Sequence, residues 1–208
     1  PVSGKQEYFK GRATNVTQIN HFSIDFSTKL ICLCESVSSD RQKAGVAQAS
    51  IFSVNKLERL KTLSTPAQGE YICSSFTGEN KFLATLLDEG ESKSIHLWQW
   101  EKDRIHKTVV VPMKAMKLSA HPKQTLVTTS GACHLKGWYI APDASVKTEN
   151  LLPPAKETEH NFLDHSFIPI TGSSSGHGAD QARLVTLADS EYSPPPASRS
   201  ITSGQGRE

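Results

Sequence analysis

Residues 95–105 read IHLWQWEKDRI, and this stretch decides the fold. Trp98 and Trp100 stand two positions apart at the end of an alternating strand pattern, and a charged turn follows at once. Side chains two apart in a strand lie on the same face of a sheet. Such a pair suits a stacking platform for a ligand, the core of a sheet, or the marker position of a repeated structural unit.

The surrounding sequence favours the repeated unit. Three third-strand aromatic residues, Phe52, Trp98 and Trp138, align at intervals of 46 and 40 residues, and Phe76 precedes the turn to a second strand in the middle unit. Four short strands in a period of roughly 40–45 residues are typical of a propeller blade. The tryptophans are therefore interpreted as core residues packed between blades.

The predicted fold is all-β: a degenerate WD40-type β-propeller with three blades and part of a fourth, taken from a larger propeller. The predicted parts are a polar N-terminal segment at 1–18, blades at about 19–64, 71–111, 115–152 and 160–192, and a Ser/Pro/Gly-rich tail of disordered composition at 193–208.

Several local features follow from the same pattern. Residues 36–45 predict a polar loop, and residues 77–80 have the composition of a type I turn. A tight turn is predicted at Ser130 and Gly131. No aspartate follows the aromatic at any marker position, where the pairs are Phe52-Ser53, Trp98-Gln99 and Trp138-Tyr139. The polar hydrogen-bond network of strong WD repeats is therefore expected to be missing.

Composition argues against several functions. The chain has 23 basic and 21 acidic residues, so no basic footprint for nucleic acid is expected. The apolar runs are too short to cross a membrane. Four cysteines lack the paired spacing of a zinc site and suit a reduced core. Residues 172–176 match G-x-S-x-G, but a Ser/Gly-rich loop explains them better than a nucleophile elbow. No enzymatic activity, metal, cofactor or small-molecule substrate is expected.

Propellers commonly act through loops at their rims, which makes the charged loop residues the candidate contacts. These are Asp40, Arg41, Asp88, Glu89 and Asp143. Nothing in their residue types specifies a partner.

The order of three segments resembles the large ciliary WD-repeat proteins. The segments are FTGENKFLATLL (76–87), SIHLWQWEKDRI (94–105) and LSAHPKQTLVTTSGACHLKGWYI (118–140), within a resemblance that covers about residues 19–168. It implies a non-enzymatic scaffold of the ciliary or flagellar axoneme, which contacts doublet-microtubule proteins and helps assemble or regulate inner dynein arms. The alternative is a cytosolic WD-repeat adaptor in a soluble multi-subunit complex.

Overall fold

The computed structural model describes residues 8–9, 15–39, 42–152, 161–169 and 182–189. These residues form fourteen strands and one 3₁₀ turn at Trp100–Lys102. The strands are β1 (Val16–Ile24), β2 (Leu30–Ser39), β3 (Gln42–Ser53), β4 (Glu58–Gln68), β5 (Glu70–Thr77), β6 (Phe82–Asp88), β7 (Lys93–Gln99), β8 (Arg104–Val111), β9 (Ala115–Ala120), β10 (Leu126–Gly131), β11 (His134–Ile140), β12 (Val146–Asn150), β13 (Asn161–Pro169) and β14 (Ala182–Asp189).

Within each sheet, strands that follow one another in the sequence pair in antiparallel fashion. The result is three four-stranded sheets, β1–β4, β5–β8 and β9–β12, and a two-stranded sheet, β13–β14. We number these sheets blades I to IV. The first strand of each blade packs against the first strand of the next: β1 on β5, β5 on β9 and β9 on β13. The predicted all-β partial propeller is confirmed.

Each blade is apolar on both faces because a neighbour can pack on each side. We call the face toward the next blade in the sequence the leading face and the face toward the previous blade the trailing face. At the I–II junction, small leading-face residues such as Cys34 and Ala49 meet the larger Leu83 and Trp98 of blade II. At the II–III junction, Leu86 and Leu97 of blade II pack in the same core as the trailing face of blade III. Burial of large apolar side chains, each worth about 1.5–3 kcal/mol, holds the blades together.

The register between the second and third strands repeats from blade to blade. Phe52 pairs with Ile31, Trp98 with Leu83 and Trp138 with Val127, so the marker aromatics occupy equivalent positions. Each first strand also carries a one-residue β-bulge at the same register, and the extra residues are Asn20, Ile72, Met116 and Leu163. Since a bulge inserts one residue against its partner strand, it switches the face that the following side chains occupy. The shared bulge is a structural sign of the repeat.

A tryptophan–threonine hydrogen bond links strands in two blades. Trp98 Nε1 donates to Thr85 Oγ1 at 3.2 Å, and Trp138 Nε1 donates to Thr129 Oγ1 at 2.9 Å. Blade I has Leu33 and Phe52 at the equivalent positions, so donor and acceptor are both replaced by apolar groups. This single bond in each of blades II and III does not supply the aspartate that is absent after the aromatic at all three marker positions.

Four local predictions differ from the structure. Residues 36–39 and 42–45 continue β2 and β3 as a long hairpin, so the predicted polar loop at 36–45 is mostly strand. The turn at residues 77–80 is left-handed and not type I. Trp100 lies in the 3₁₀ turn beyond β7 rather than in the strand. Gly131 still pairs with His134, which moves the predicted tight turn to Ala132 and Cys133.

Two predicted segment boundaries fall partly outside the described residues. β1 already begins at Val16, inside the predicted polar segment 1–18. The predicted tail at 193–208 and the G-x-S-x-G stretch at 172–176 lie outside the described residues. No helix in the described part of the chain is long and apolar enough to span a membrane.

Candidate functional site on the blade rims

The antiparallel connections divide the turns between two rims. The turns between first and second strands share one edge with the turns between third and fourth strands, and we call this edge the upper rim. The hairpins between second and third strands lie at the opposite edge, the lower rim. The predicted contact residues are consequently split: Asp143 is on the upper rim, and Asp88 and Glu89 are on the lower rim.

Asp25 organises the upper-rim turn of blade I. Its carboxylate is buried and accepts the backbone N–H groups of Lys29 and Leu30, each at 2.7 Å, and that of Ser27 at 3.1 Å. It also accepts the Ser27 hydroxyl and, at 2.6 Å, the side-chain amide of Asn80 from blade II. Burial raises the pKa of Asp25, but the hydrogen bonds from Ser27, Leu30 and Lys29 outweigh it, and the net pKa is lowered.

The upper-rim turn of blade II has a left-handed backbone. Gly78, Glu79 and Asn80 have φ values of 58°, 57° and 67°. The Lys81 N–H donates to the Gly78 carbonyl, as in a type I′ hairpin turn. Glycine and asparagine tolerate this region better than glutamate does, so Glu79 must be held there by its surroundings.

Contacts to both neighbouring blades provide that support. The Glu79 N–H donates to the Pro122 carbonyl of blade III at 2.8 Å, and Thr77 Oγ1 donates to the His121 and Gln124 carbonyls. On the other side, Asn80 binds Asp25 of blade I. The Asn80 carbonyl also accepts the Trp100 indole N–H at 2.7 Å. The turn is therefore fixed by three blades.

A groove of about 580 Å³ opens on the upper rim between blades I and II. Its walls come from the Asp25 turn, the left-handed turn and the 3₁₀ turn of blade II. Lys29, Lys81 and Lys102 are exposed along it, and Trp100 and Phe82 supply apolar surface. The complete lining is Ser27, Lys29, Leu30, Glu79, Asn80, Lys81, Phe82, Gln99, Trp100, Glu101 and Lys102.

Blade III carries a smaller groove on the same rim. It has a volume of about 190 Å³ and lies between the turn at Gln124–Leu126 and the turn at Ala141–Ser145. The predicted contact residue Asp143 belongs to the second turn. Its carboxylate accepts the backbone N–H and hydroxyl of Ser145 at 2.9 and 2.7 Å, and these hydrogen bonds lower its pKa. Asp143 therefore shapes a rim turn in addition to being exposed.

The lower-rim candidates have structural partners of their own. Asp88 forms an ion pair of 3.1 Å with the buried Lys93, and it accepts the Gly90 N–H at 2.9 Å. Glu89 accepts the Ser92 hydroxyl at 2.7 Å. These bonds fix the β6–β7 hairpin. Asp40 and Arg41 lie outside the described residues.

The predicted repeat positions are all buried. Phe52, Phe76, Trp98 and Trp138 are 1–5% exposed. Trp100 is also only 8% exposed and joins the I–II core. The structure thus places Phe52, Phe76, Trp98 and Trp138 between or within blades, whereas Trp100 is largely buried but still lines the upper-rim groove.

Three buried histidines supply polar links, two within a sheet and one between blades III and IV. Tyr71 Oη and His96 Nδ1 are 3.1 Å apart, His134 Nε2 and Thr129 Oγ1 are 2.8 Å apart, and His165 contacts blade III hydroxyls. Burial lowers the pKa of each imidazole, to about 4 for His134. Within the described residues, no group of three or more His, Cys, Asp or Glu side chains could hold a metal ion.

Sequence reasoning missed the residues that build the upper rim. Asp25 and Asn80 are common turn residues, and nothing in their local context shows that they meet across blades. A usable signal did exist at Gly78 and Asn80, since both residue types accept positive φ. A second missed residue is Glu35, which is 1% exposed on the trailing face of blade I.

Comparisons with known proteins provide no family. No family model matches the chain, and no curated protein matches it. The chain is similar to the solved structure of Kuenenia stuttgartiensis hydrazine synthase, with 12% identity, a TM-score of 0.44, and coverage of 62% of this chain and 41% of that chain. It is also similar to the β-propeller domain of Myceliophteria thermophila Cps50 (Swd1), with 10% identity, a TM-score of 0.42, and coverage of 64% and 41%.

The chain therefore spans less than half the length of these two solved chains. Both TM-scores are below 0.5, so neither likeness carries an argument about activity or partners. The blade architecture follows instead from the strand order, the repeated register and the packing between sheets.

Proposed function

We propose that the chain is a non-enzymatic scaffold that binds protein partners through its upper rim. The observation that carries the proposal is the groove between blades I and II. Its walls are turns whose backbone is already fixed by contacts between blades, so binding there costs little additional ordering. Such a surface is better suited to binding a protein loop or peptide than to catalysing a reaction.

The chemistry of the groove agrees with a contact surface. Exposed lysines and glutamates stand around half-buried Leu30 and Phe82, which is the mixture of polar rim and apolar centre found at protein interfaces. No histidine or cysteine lines the groove. We propose no role for nucleic acid, a membrane, a cofactor or a small-molecule substrate.

Within this general role, we propose that the partners are axonemal proteins of cilia or flagella, including subunits of inner dynein arms or of doublet microtubules. The support is the sequence resemblance of residues 76–87, 94–105 and 118–140 to ciliary WD-repeat proteins. A soluble multi-subunit complex is the competing setting for the same scaffold.

The two settings are separated by fractionation. The tagged chain is expressed in ciliated cells, and its amount is compared in salt-washed axonemes and in the detergent-soluble fraction. Retention on washed axonemes is expected, whereas complete recovery in the soluble fraction would refute the axonemal role and favour the adaptor.

The groove is tested with charge reversals in the same assay. The double variant Lys81→Glu and Lys102→Glu should lose most of the retained protein, because both side chains line the groove. Lys114→Glu changes another exposed lysine, on the lower rim, and should be retained like the wild type. Equal retention of both variants would refute the groove as the contact surface.

Failure of a serine-directed fluorophosphonate probe to label Ser174 would agree with the absence of hydrolase activity.

A further inference from the structure

The cations of the upper-rim groove come from three different turns. Lys29 belongs to the Asp25 turn of blade I, Lys81 follows the left-handed turn of blade II, and Lys102 ends the 3₁₀ turn. All three side chains are exposed. Because each turn forms a separate wall, every wall of the groove supplies positive charge.

Two of these lysines have no carboxylate partner. Lys81 Nζ pairs with Glu79 at 3.4 Å, and both of these side chains are exposed. Among the described residues, neither Lys29 nor Lys102 forms an ion pair. An anionic ligand would therefore meet two ammonium groups, one from each blade, that it does not have to take from another carboxylate.

The carboxylates of the same rim are mostly engaged elsewhere. Asp103 pairs with Lys61 at 2.6 Å. Asp25 accepts the five donors described above and does not line the groove. Within the described residues, Glu101 is the lining carboxylate without an ion pair. The lining as a whole has three lysines against two glutamates, so its net charge is positive.

Gln99 adds a hydrogen-bond donor to the wall formed by the 3₁₀ turn. Its Oε1 accepts the Arg104 Nε–H at 2.5 Å, and this bond fixes the orientation of the amide because a guanidinium can only donate. The Nε2 group is therefore the free end of the side chain, with no partner among the described residues. A free amide donor beside unpaired ammonium groups favours a ligand that brings oxygen acceptors.

Apolar surface lies between these polar groups. Leu30 and Phe82 are half-buried in the lining, and the Phe82 ring packs on His106 with 5.4 Å between ring centroids. Only 8% of Trp100 is exposed, which leaves too little of its ring free to stack on a base. The volume of about 580 Å³ falls within the range of sites that enclose small ligands, so one large apolar side chain and its neighbours fit.

We infer that the groove takes an acidic peptide segment of a protein partner, in which carboxylates flank one large apolar side chain. This inference rests on the scaffold role proposed above and specifies the chemistry of its partner. The apolar side chain lies against Leu30 and Phe82. The flanking carboxylates pair with Lys29 and Lys102, and an oxygen of the peptide accepts the Gln99 amide.

The test is fluorescence anisotropy of the purified 208-residue chain with three labelled octapeptides. The first peptide has glutamates and aspartates around a central leucine, the second has lysines in place of the acidic residues, and the third has glycine in place of the leucine. The first should bind about tenfold more tightly than the others, since the second meets like charges and the third buries less apolar surface. Its affinity should fall as salt is added, because salt screens exposed ion pairs.

Exposed charge variants locate the binding in the groove. Lys29→Gln combined with Lys102→Gln should weaken binding of the acidic leucine peptide about five- to tenfold, because two exposed ion pairs are lost. Glu101→Gln should strengthen it about twofold, because a like charge is removed. Lys114→Gln combined with Lys147→Gln makes the same change in net charge at exposed lysines outside this groove, and it should bind like the wild type.

Two results would overturn the inference. One is a preference for the lysine peptide, or no binding of the acidic leucine peptide at about 100 µM. The other is a loss of affinity that is equal in the two double variants. The axonemal retention assay has a separate outcome. Loss of retention without acidic-peptide binding would remove only the acidic ligand, whereas acidic-peptide binding with unchanged retention would remove only the cellular role.

Discussion

Removal of the Asp25 carboxylate tests how far the upper-rim turns stabilise the arc of blades. Asp25→Ala removes the acceptor for three backbone N–H groups, the Ser27 hydroxyl and the Asn80 amide of the next blade. Hydrogen bonds to a charged group contribute about 1.5–3 kcal/mol, but water can reach part of the freed turn. We therefore expect a loss of about 3 kcal/mol in the free energy of unfolding, which is the loss of one to two such bonds.

The measurement is urea unfolding at pH 7, followed by tryptophan fluorescence and circular dichroism. Asp143→Ala is the matched control, because Asp143 accepts the same kind of Ser N–H and hydroxyl bonds but is fully exposed to solvent. Its unfolding midpoint should not change measurably. A loss below about 1 kcal/mol for Asp25→Ala would refute the reasoning, since even one charged hydrogen bond is worth more.

Two further measurements locate the effect. A double-mutant cycle with Asn80→Ala should give a coupling of at least about 1 kcal/mol, because Asn80 donates to Asp25 across the I–II junction. The pH dependence has a defined sign as well. Since the folded pKa of Asp25 is lowered, its contribution is present above the unfolded value of about 3.9 and is lost as pH falls through the folded value. Asp25→Ala should remove that part of the acid sensitivity.

Three other predictions concern the sheets. Thr129→Val should lower the free energy of unfolding by about 1–3 kcal/mol, because it leaves the buried Trp138 indole N–H without its acceptor; an unchanged urea midpoint would contradict this. Gly131→Ala should greatly reduce the soluble yield or the melting temperature, since an added Cβ would lie 1.7 Å from the Lys114 carbonyl oxygen, whereas Gly137→Ala in the same blade meets only ordinary contacts of 3.5 Å or more and should behave nearly like the wild type. The buried His134 has a pKa of about 4, so its contribution to the free energy of unfolding should be fully present above the unfolded pKa of about 6.5 and should be lost as the pH drops toward 4. His134→Gln should flatten the dependence of the free energy of unfolding on pH in this range. An identical slope in the variant would show that His134 does not cause it.

The repeat could be predicted from the sequence because it depends on local patterns. Phe52, Trp98 and Trp138 mark equivalent positions, and the alternation of apolar residues and turns around them defines four strands per unit. The predicted strand boundaries were wrong where the polar composition of a segment indicated a loop but its backbone pairs as a strand. Residues 36–45 are polar, yet the β2–β3 hairpin extends through residues 39 and 42, because backbone pairing does not require apolar side chains.

The upper-rim site could not be predicted in the same way. The partners Asp25 and Asn80 are 55 residues apart in sequence, and their contact exists only after two blades pack. The positive φ of Glu79 depends on the Pro122 carbonyl of a third blade. Residue type can suggest a turn, but it does not give the handedness of a turn that tertiary contacts impose.

The anchoring of the turn at residues 78–81 has a mechanical consequence. A partner that pulls on this turn does not load the β5–β6 hairpin alone, because Asn80 is tied to Asp25 and Glu79 is tied to Pro122. The tension divides among three sheets, whose backbone hydrogen bonds then resist it in parallel. Force applied at this point should therefore meet the combined resistance of blades I, II and III before any single strand peels away.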